Sequence, residues 1–236
     1  MKFLLSKGGD VNIKRKDGLA PVHFAMLNRG ICGDKMRKLL GVDQESFNVP
    51  IDNSGFTLLH NFVSADHAEV DVVQLILDHN SYMGIKELRH QPVHHVAMSL
   101  NENAGEQMAI LLENNGNANA SNKYGLTPMH VAALNPGIHA PKLVKILLNH
   151  GGNPNAGDAA GLTPVHYVIS KKNSNSLEIL KLLVENGGNI FQLDNCRMSP
   201  FIFAILQGSE KYCLPEVKNY LMEKASEKCF QSPSGT

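Results

Sequence analysis

Apolar residues run along this chain as pairs of short blocks, and the pairs recur. One block opens on a Pro-centred phrase: "LAPVHFA" at 19, "FTLLHNF" at 56, "HQPVHHV" at 90, "LTPMHVA" at 126, "LTPVHYV" at 162 and "MSPFIFA" at 198. The other follows it: "MRKLL" near 36, "VVQLIL" at 72, "MAILL" at 108, "LVKILL" at 143, "ILKLLV" at 179 and "VKNYLM" at 217. Within each second block the apolar residues fall three and four apart, which places them on one face of a helix. Most of these blocks close on Asn or Gly, as in "LLNHGGNPN" and "LLVENGGNI", and a glycine there can take the left-handed conformation that ends a helix.

The register is regular. His23, His60, His94, His130, His166 and Ile202 occupy one position, in successive steps of 37, 34, 36, 36 and 36 residues. Such a period marks a stacked repeat architecture, each unit being helix, loop, helix and turn. At its start, Thr127 and Thr163 stand where a helix needs an N-cap oxygen. Pro128 and Pro164 fall in the first turn, where a missing N–H costs nothing. Gly125 and Gly161 permit a tight hairpin ahead of them.

The phrase G-x-T-P-x-H, the short helix after it and the apolar second helix closing on G-G-N resemble the repeat of the ankyrin family. The resemblance covers nearly the whole chain. It implies an all-α fold, an ankyrin-repeat solenoid of stacked helix-turn-helix units joined by short hairpin loops. It also implies that the motif His bonds within its own motif and to neighbouring backbone, tying units together. Pro21, His23, His60, Pro92, His94, Thr127, Pro128, His130, Thr163, Pro164 and His166 are the structural residues so assigned.

In this register the chain is a single array over 1–225. A partial repeat occupies 1–14, repeats follow at 15–51, 52–85, 86–121, 122–157 and 158–193, a capping repeat covers 194–225, and 226–236 is a flexible tail. The partial repeat begins inside an outer helix, so the N-terminus is expected to be a cut edge. Departures predict less ideal hairpins: Arg89, His90 and Gln91 in the third unit, Leu58 in the second, and Arg197, Ser199 and Ile202 in the sixth. Most units exceed the usual repeat of about 33 residues, the excess falling in "NPGIHAPK" and "KKNSNSLE" between the two helices. Lengthened units of this kind resemble those of some viral and intracellular-bacterial members.

Charge and composition then narrow the function. With 22 basic and 22 acidic residues the chain has no net field to gather nucleic acid. Cys32, Cys196, Cys213 and Cys229 are scattered, which fits reduced thiols in a cytoplasmic or nucleocytoplasmic protein better than a zinc site or a disulfide framework. No apolar run reaches the length of a membrane span. Of eleven His, five are the motif residue. The cluster His90, His94 and His95 is interrupted by Pro92 and accompanied by no carboxylate or thiolate set. No metal, no cofactor and no catalytic residues are therefore expected, and the segment reads as a non-enzyme.

What remains is surface. By the resemblance, a protein partner lies across the hairpin tips and the exposed side of the inner helices, the concave face, which the register assigns to Lys16, Asp17, Asn28, Asn53, Phe56, Glu87, His90, Lys123, Tyr124, Asn135, Lys171 and Asn195. The leading reading is a monomeric, non-catalytic protein-interaction module. The alternative makes the array the interaction domain of a larger viral or bacterial effector in the host cytosol, with any activity outside this chain.

Overall fold

The computed structural model describes residues 15–16, 57–63, 70–78, 91–171, 173–206 and 214–230. The chain divides into two compact units, Met1–Gly116 and Asn117–Thr236. In the first, α1 (Leu58–Val63) pairs with α2 (Val70–Asp78) and α3 (Pro92–Met98) pairs with α4 (Ala104–Glu113). Inner helix α1 packs on inner helix α3, and outer helix α2 on outer helix α4. Leu59, Val63, Val73, Ile76, Val93, Val96, Met108 and Leu111 are buried between them.

Among the described residues the second unit holds three such pairs: α5 (Pro128–Leu134) with α6 (Ala140–Asn149), α7 (Pro164–Ser170) with α8 (Ser176–Glu185), and α9 (Pro200–Leu206) with α10 (Pro215–Phe230). The inner helices α5, α7 and α9 pack in succession, as do the outer helices α6, α8 and α10. This is the helical repeat stack that the period predicts. Helices of seven to ten residues are too short to persist alone. Burial of Met129, Leu143, Leu147, Val165, Ile179 and Leu183 between neighbours holds them.

Outer helices α4, α6 and α8 end by one device. The chain turns left-handed at Gly151 and Gly187, φ +76° and +89°, and the next glycine's N–H returns to a carbonyl of the last turn, Gly152 to Leu147 and Gly188 to Leu183, both at 2.8 Å. In α4, Asn115 takes the left-handed position at φ +68° and Gly116 donates to the Leu111 carbonyl. Helix α10 has Ala225 and Ser226 after the matching turn, and it runs for 16 residues instead of ten. Asn219 and Glu223 lie on its solvent side.

Polar ladders join the pairs, and the period alone did not reveal all of them. Asn119 donates through Nδ2 to the Gly151 carbonyl and accepts from Asn153 N–H, at 2.8 and 2.7 Å. One repeat on, Asn155 does the same to Gly187 and Asn189, at 2.8 and 2.7 Å. The lengthened loops are stitched as well: Asn175 donates to the Gly137 carbonyl at 2.6 Å and Asn173 to the Leu134 carbonyl at 3.2 Å. Asn173 and Asn175 of the lengthened loop therefore anchor it to the neighbouring repeat.

Candidate protein-interaction surface

The motif His organises the N-terminal end of inner helices α1, α3, α5 and α7. Thr127 N–H donates to His130 Nδ1 at 3.0 Å, and the Thr127 hydroxyl lies 2.8 Å from the same nitrogen, the two residues forming a capping box over the first turn. Because Nδ1 accepts an amide proton, the neutral ring carries its own proton on Nε2, which donates to the Leu162 carbonyl of the next repeat at 2.9 Å. His166 repeats this with Thr163 and with the Met198 carbonyl at 3.1 Å. In the first unit Thr57 N–H donates to His60 Nδ1 and Gln91 N–H to His94 Nδ1, both at 3.1 Å.

Gln91 thus starts its helix in the same way as Thr127, with φ −85° and ψ 166° against −94° and 165°. The departure in the third unit leaves the helix start unchanged, because the essential acceptor belongs to the His. Its hairpin residues Arg89 and His90 lie outside the described residues. In two repeats the residue after the motif His packs its ring edge-on against the preceding motif ring: His95 on His60 at 5.7 Å and Tyr167 on His130 at 5.3 Å. Among the described residues no group of three His, Cys, Asp or Glu is arranged to hold a metal ion.

Burial lowers the pKa of His130 and of His166 below the ordinary 6.5. The Leu162 and Met198 carbonyls and the charges of Asp158 and Asp194 oppose it only in part. A histidine whose folded pKa lies below its unfolded value binds fewer protons when folded. Its contribution is complete above pH 6.5 and is lost as pH falls from 6.5 toward the depressed values. The urea midpoint is expected to fall between pH 7 and pH 5. The fall should be shallower in a His130→Gln, His166→Gln variant, and an equal slope in the two proteins would show that other groups set the acid response.

Ahead of these helices stand three hairpin tips of one construction. Asn122 accepts through Oδ1 from Tyr124 and Leu126 N–H at 2.9 and 3.0 Å, Asp158 from Ala160 and Leu162 at 2.8 and 2.9 Å, and Asp194 from Cys196 and Met198, both at 2.8 Å. These three residues recur at a step of 36 and were not recognised in the sequence as turn-formers. Adjacent tips bond through backbone: Ala159 N–H to Tyr124 O and Asn195 N–H to Ala160 O, both 3.0 Å, with Asn195 Nδ2 donating to Ala159 O at 3.1 Å. Tyr167 donates its hydroxyl to Asp158 Oδ2 at 2.7 Å, and burial with this bond pushes its pKa up.

The three tips form one braced row. Its exposed side carries Lys123 and Tyr124, then Ala159 and Ala160, then Asn195, Cys196 and Arg197. Tyr124 is 50% exposed, with Lys123 Nζ 4.8 Å from its ring centre. Gly125 and Gly161 both take φ +77° at the tips, whereas the same position in the last tip is Arg197 at φ +60°. A non-glycine residue there carries a conformational cost of about 1 kcal/mol or more.

The structure separates the residues assigned to the concave face. Lys123, Tyr124 and Asn195 fall together on the tip row. Lys171 is exposed but caps the far end of α7, about 10 Å away along a seven-residue helix. Asn135 is corrected: at 3% exposure it is buried, with Oδ1 accepting from Gly137 N–H at 2.8 Å, so it shapes the loop and cannot serve as a contact side chain. Lys16 is exposed, in the other unit. Asp17, Asn28, Asn53, Phe56, Glu87 and His90, with the motif residues Pro21 and His23, lie outside the described residues. The register missed Tyr167, Asp158 and Arg197. An aromatic residue just after the motif His and an Asp five residues before the motif Thr were the available signals, and each needs the stacked neighbour to acquire meaning.

A family model described as ankyrin repeats, in sets of three, matches residues 64–158 and 137–230. The chain belongs to the ankyrin-repeat family. No curated protein matches it. Ankyrin repeats are generally protein-interaction modules. No helix among its described residues is long and apolar enough to cross a membrane.

Proposed function

We propose that the array is a non-catalytic binding module that takes a partner protein on the hairpin tips and the adjoining face of the inner helices. The observation that carries this reading is Tyr124: a half-exposed aromatic residue on a tip that backbone hydrogen bonds hold to its neighbour. A rigid, exposed aromatic loses little freedom when it is covered, and such residues supply a disproportionate share of interface energy. The polar groups that gather nearby, Thr127, His130, Asp158 and Tyr167, are engaged with backbone and with one another, which supports a structural role for them over a catalytic one.

The test is affinity capture with the intact chain, identification of the partner by mass spectrometry, and titration of variants. Tyr124→Ala with Lys123→Glu is expected to weaken the complex at least 10-fold, which corresponds to roughly 1.4 kcal/mol. Charge reversal at Lys145 or Glu185, exposed on outer helices α6 and α8, is expected to leave affinity nearly unchanged. A large loss at Lys145 with an intact affinity at the tips would move the site to the outer helices.

A further inference from the structure

We infer that the last hairpin tip holds a carboxylate-recognition residue, Arg197, and that the partner presents an Asp or Glu side chain to it. The inference rests on the tip-row reading above and deepens it. Three observations converge on this residue.

The first is its backbone. Positions 125, 161 and 197 are equivalent, and glycine fills the first two at φ +77° while Arg197 fills the third at φ +60°. Glycine is required twice over at the first two. A Cβ on Gly125 would stand 2.7 Å from Ala159 N, and one on Gly161 would stand 2.7 Å from Asn195 Oδ1 and 3.0 Å from Asn195 N. Both clashes are with the next hairpin, and no further hairpin follows Arg197 among the described residues. The steric demand for glycine is thereby lifted at 197, but the left-handed conformation is unchanged and still favours glycine. Arginine at this position therefore carries a backbone cost that glycine would not.

The second is the state of the side chain. Arg197 is exposed, and among the described residues its guanidinium makes no hydrogen bond or ion pair. Its backbone N–H closes the turn to Asp194 O at 3.0 Å, and Asp194 Oδ1 is engaged by two amides of the same turn. The tip is therefore ordered independently of the guanidinium, whose planar donors stay available. Two parallel N–H groups match a carboxylate in a bidentate pair.

The third is charge. The exposed charged side chains on the tip row are Lys123 at one end and Arg197 at the other. The acids beside them, Asp158 and Asp194, are half-buried and bonded to backbone N–H, with Asp158 also bonded to Tyr167. The row thus offers cations outward and keeps its anions turned to its own backbone. Two cations with two aspartates behind them suit a discrete carboxylate on a protein. Nucleic acid draws its affinity from several cations that neutralise successive phosphates, and a chain of zero net charge has no such field.

The experiment pans a phage-displayed random-peptide library against the full chain and measures the recovered peptides by titration. Enrichment of Asp or Glu is expected. Affinity should fall at least 10-fold on Arg197→Gly, further on Arg197→Glu, and equally when the peptide's acidic residue becomes Ala. The urea midpoint of the Arg197→Gly protein should be unchanged or higher, and a clear fall would assign Arg197 to holding the hairpin and overturn the inference. Peptides that need Tyr124 but bind the Arg197→Gly protein as well as the wild type would overturn it while leaving the tip row as the binding surface. Indifference to both substitutions would overturn both readings. A selection without acidic enrichment overturns the carboxylate inference, as does tighter, Arg197-dependent binding of a labelled single-stranded oligonucleotide.

Discussion

His130→Ala is expected to lower the stability of the second unit by about 2–4 kcal/mol, as the sum of an unpaired buried amide and a void in a packed interior. The imidazole is fully buried and does two jobs at once. Nδ1 receives the Thr127 amide, which stands at the start of α5 with no intrahelical acceptor, and Nε2 reaches the Leu162 carbonyl one repeat on. Alanine leaves the amide unsatisfied and removes the cross-repeat bond, although Leu162 O keeps a second donor, Asp158 N–H, at 3.0 Å. The Tyr167 ring also loses its edge-on partner. Chemical denaturation of wild type and variant measures the difference. A loss below about 0.5 kcal/mol, the range of ordinary surface substitutions, would show that the ring does not tie the repeats together.

Gly125→Ala is expected to be of similar severity, about 2–4 kcal/mol, while Gly151→Ala costs only about 1 kcal/mol. Both glycines are left-handed, φ +77° and +76°, so the intrinsic backbone cost is the same. They differ in surroundings. The added Cβ at Gly125 would meet Ala159 N at 2.7 Å and Asp158 C at 2.9 Å, backbone atoms of the next tip that are themselves tied to Tyr124 O. At Gly151 it would meet nothing within 4 Å. The difference between the two variants in urea therefore isolates the steric contribution of tip stacking. Equal losses at both sites would mean that the tips yield freely, and that the row is not the rigid surface its hydrogen bonds imply.

Much of this was legible from residue order. Thr127, Pro128 and the Nδ1 of His130 act on groups three residues away or fewer, so their spacing alone predicts an N-capped helix, and the Gly-Gly pairs predict left-handed helix ends for the same reason. Gln91 shows where that local reading was too strict. A Thr-to-Gln change looks like a weakened cap, but the helix start depends on the His nitrogen that receives the amide, and this was present throughout. Asn135 shows where it was too generous, for a polar residue at the end of an inner helix reads as surface until its loop folds over it.

The sequence by itself determined the repeat period, the starts of the inner helices at Thr-Pro, the ends of the outer helices at Gly-Gly and the identity of the motif His, because each follows from interactions within one turn of chain or from apolar spacing on one helix. Tertiary structure alone decided what the polar residues between the helices do. Asn119 and Asn155 clamp turns more than 30 residues away, Tyr167 meets a ring from the preceding repeat, and Asn122, Asp158 and Asp194 brace tips that neighbouring tips then align. Arg197 is the sharpest case. As a letter it is only a departure from glycine, and its consequence depends on a backbone angle and on the absence of a described hairpin above it, neither of which is written in the residues beside it.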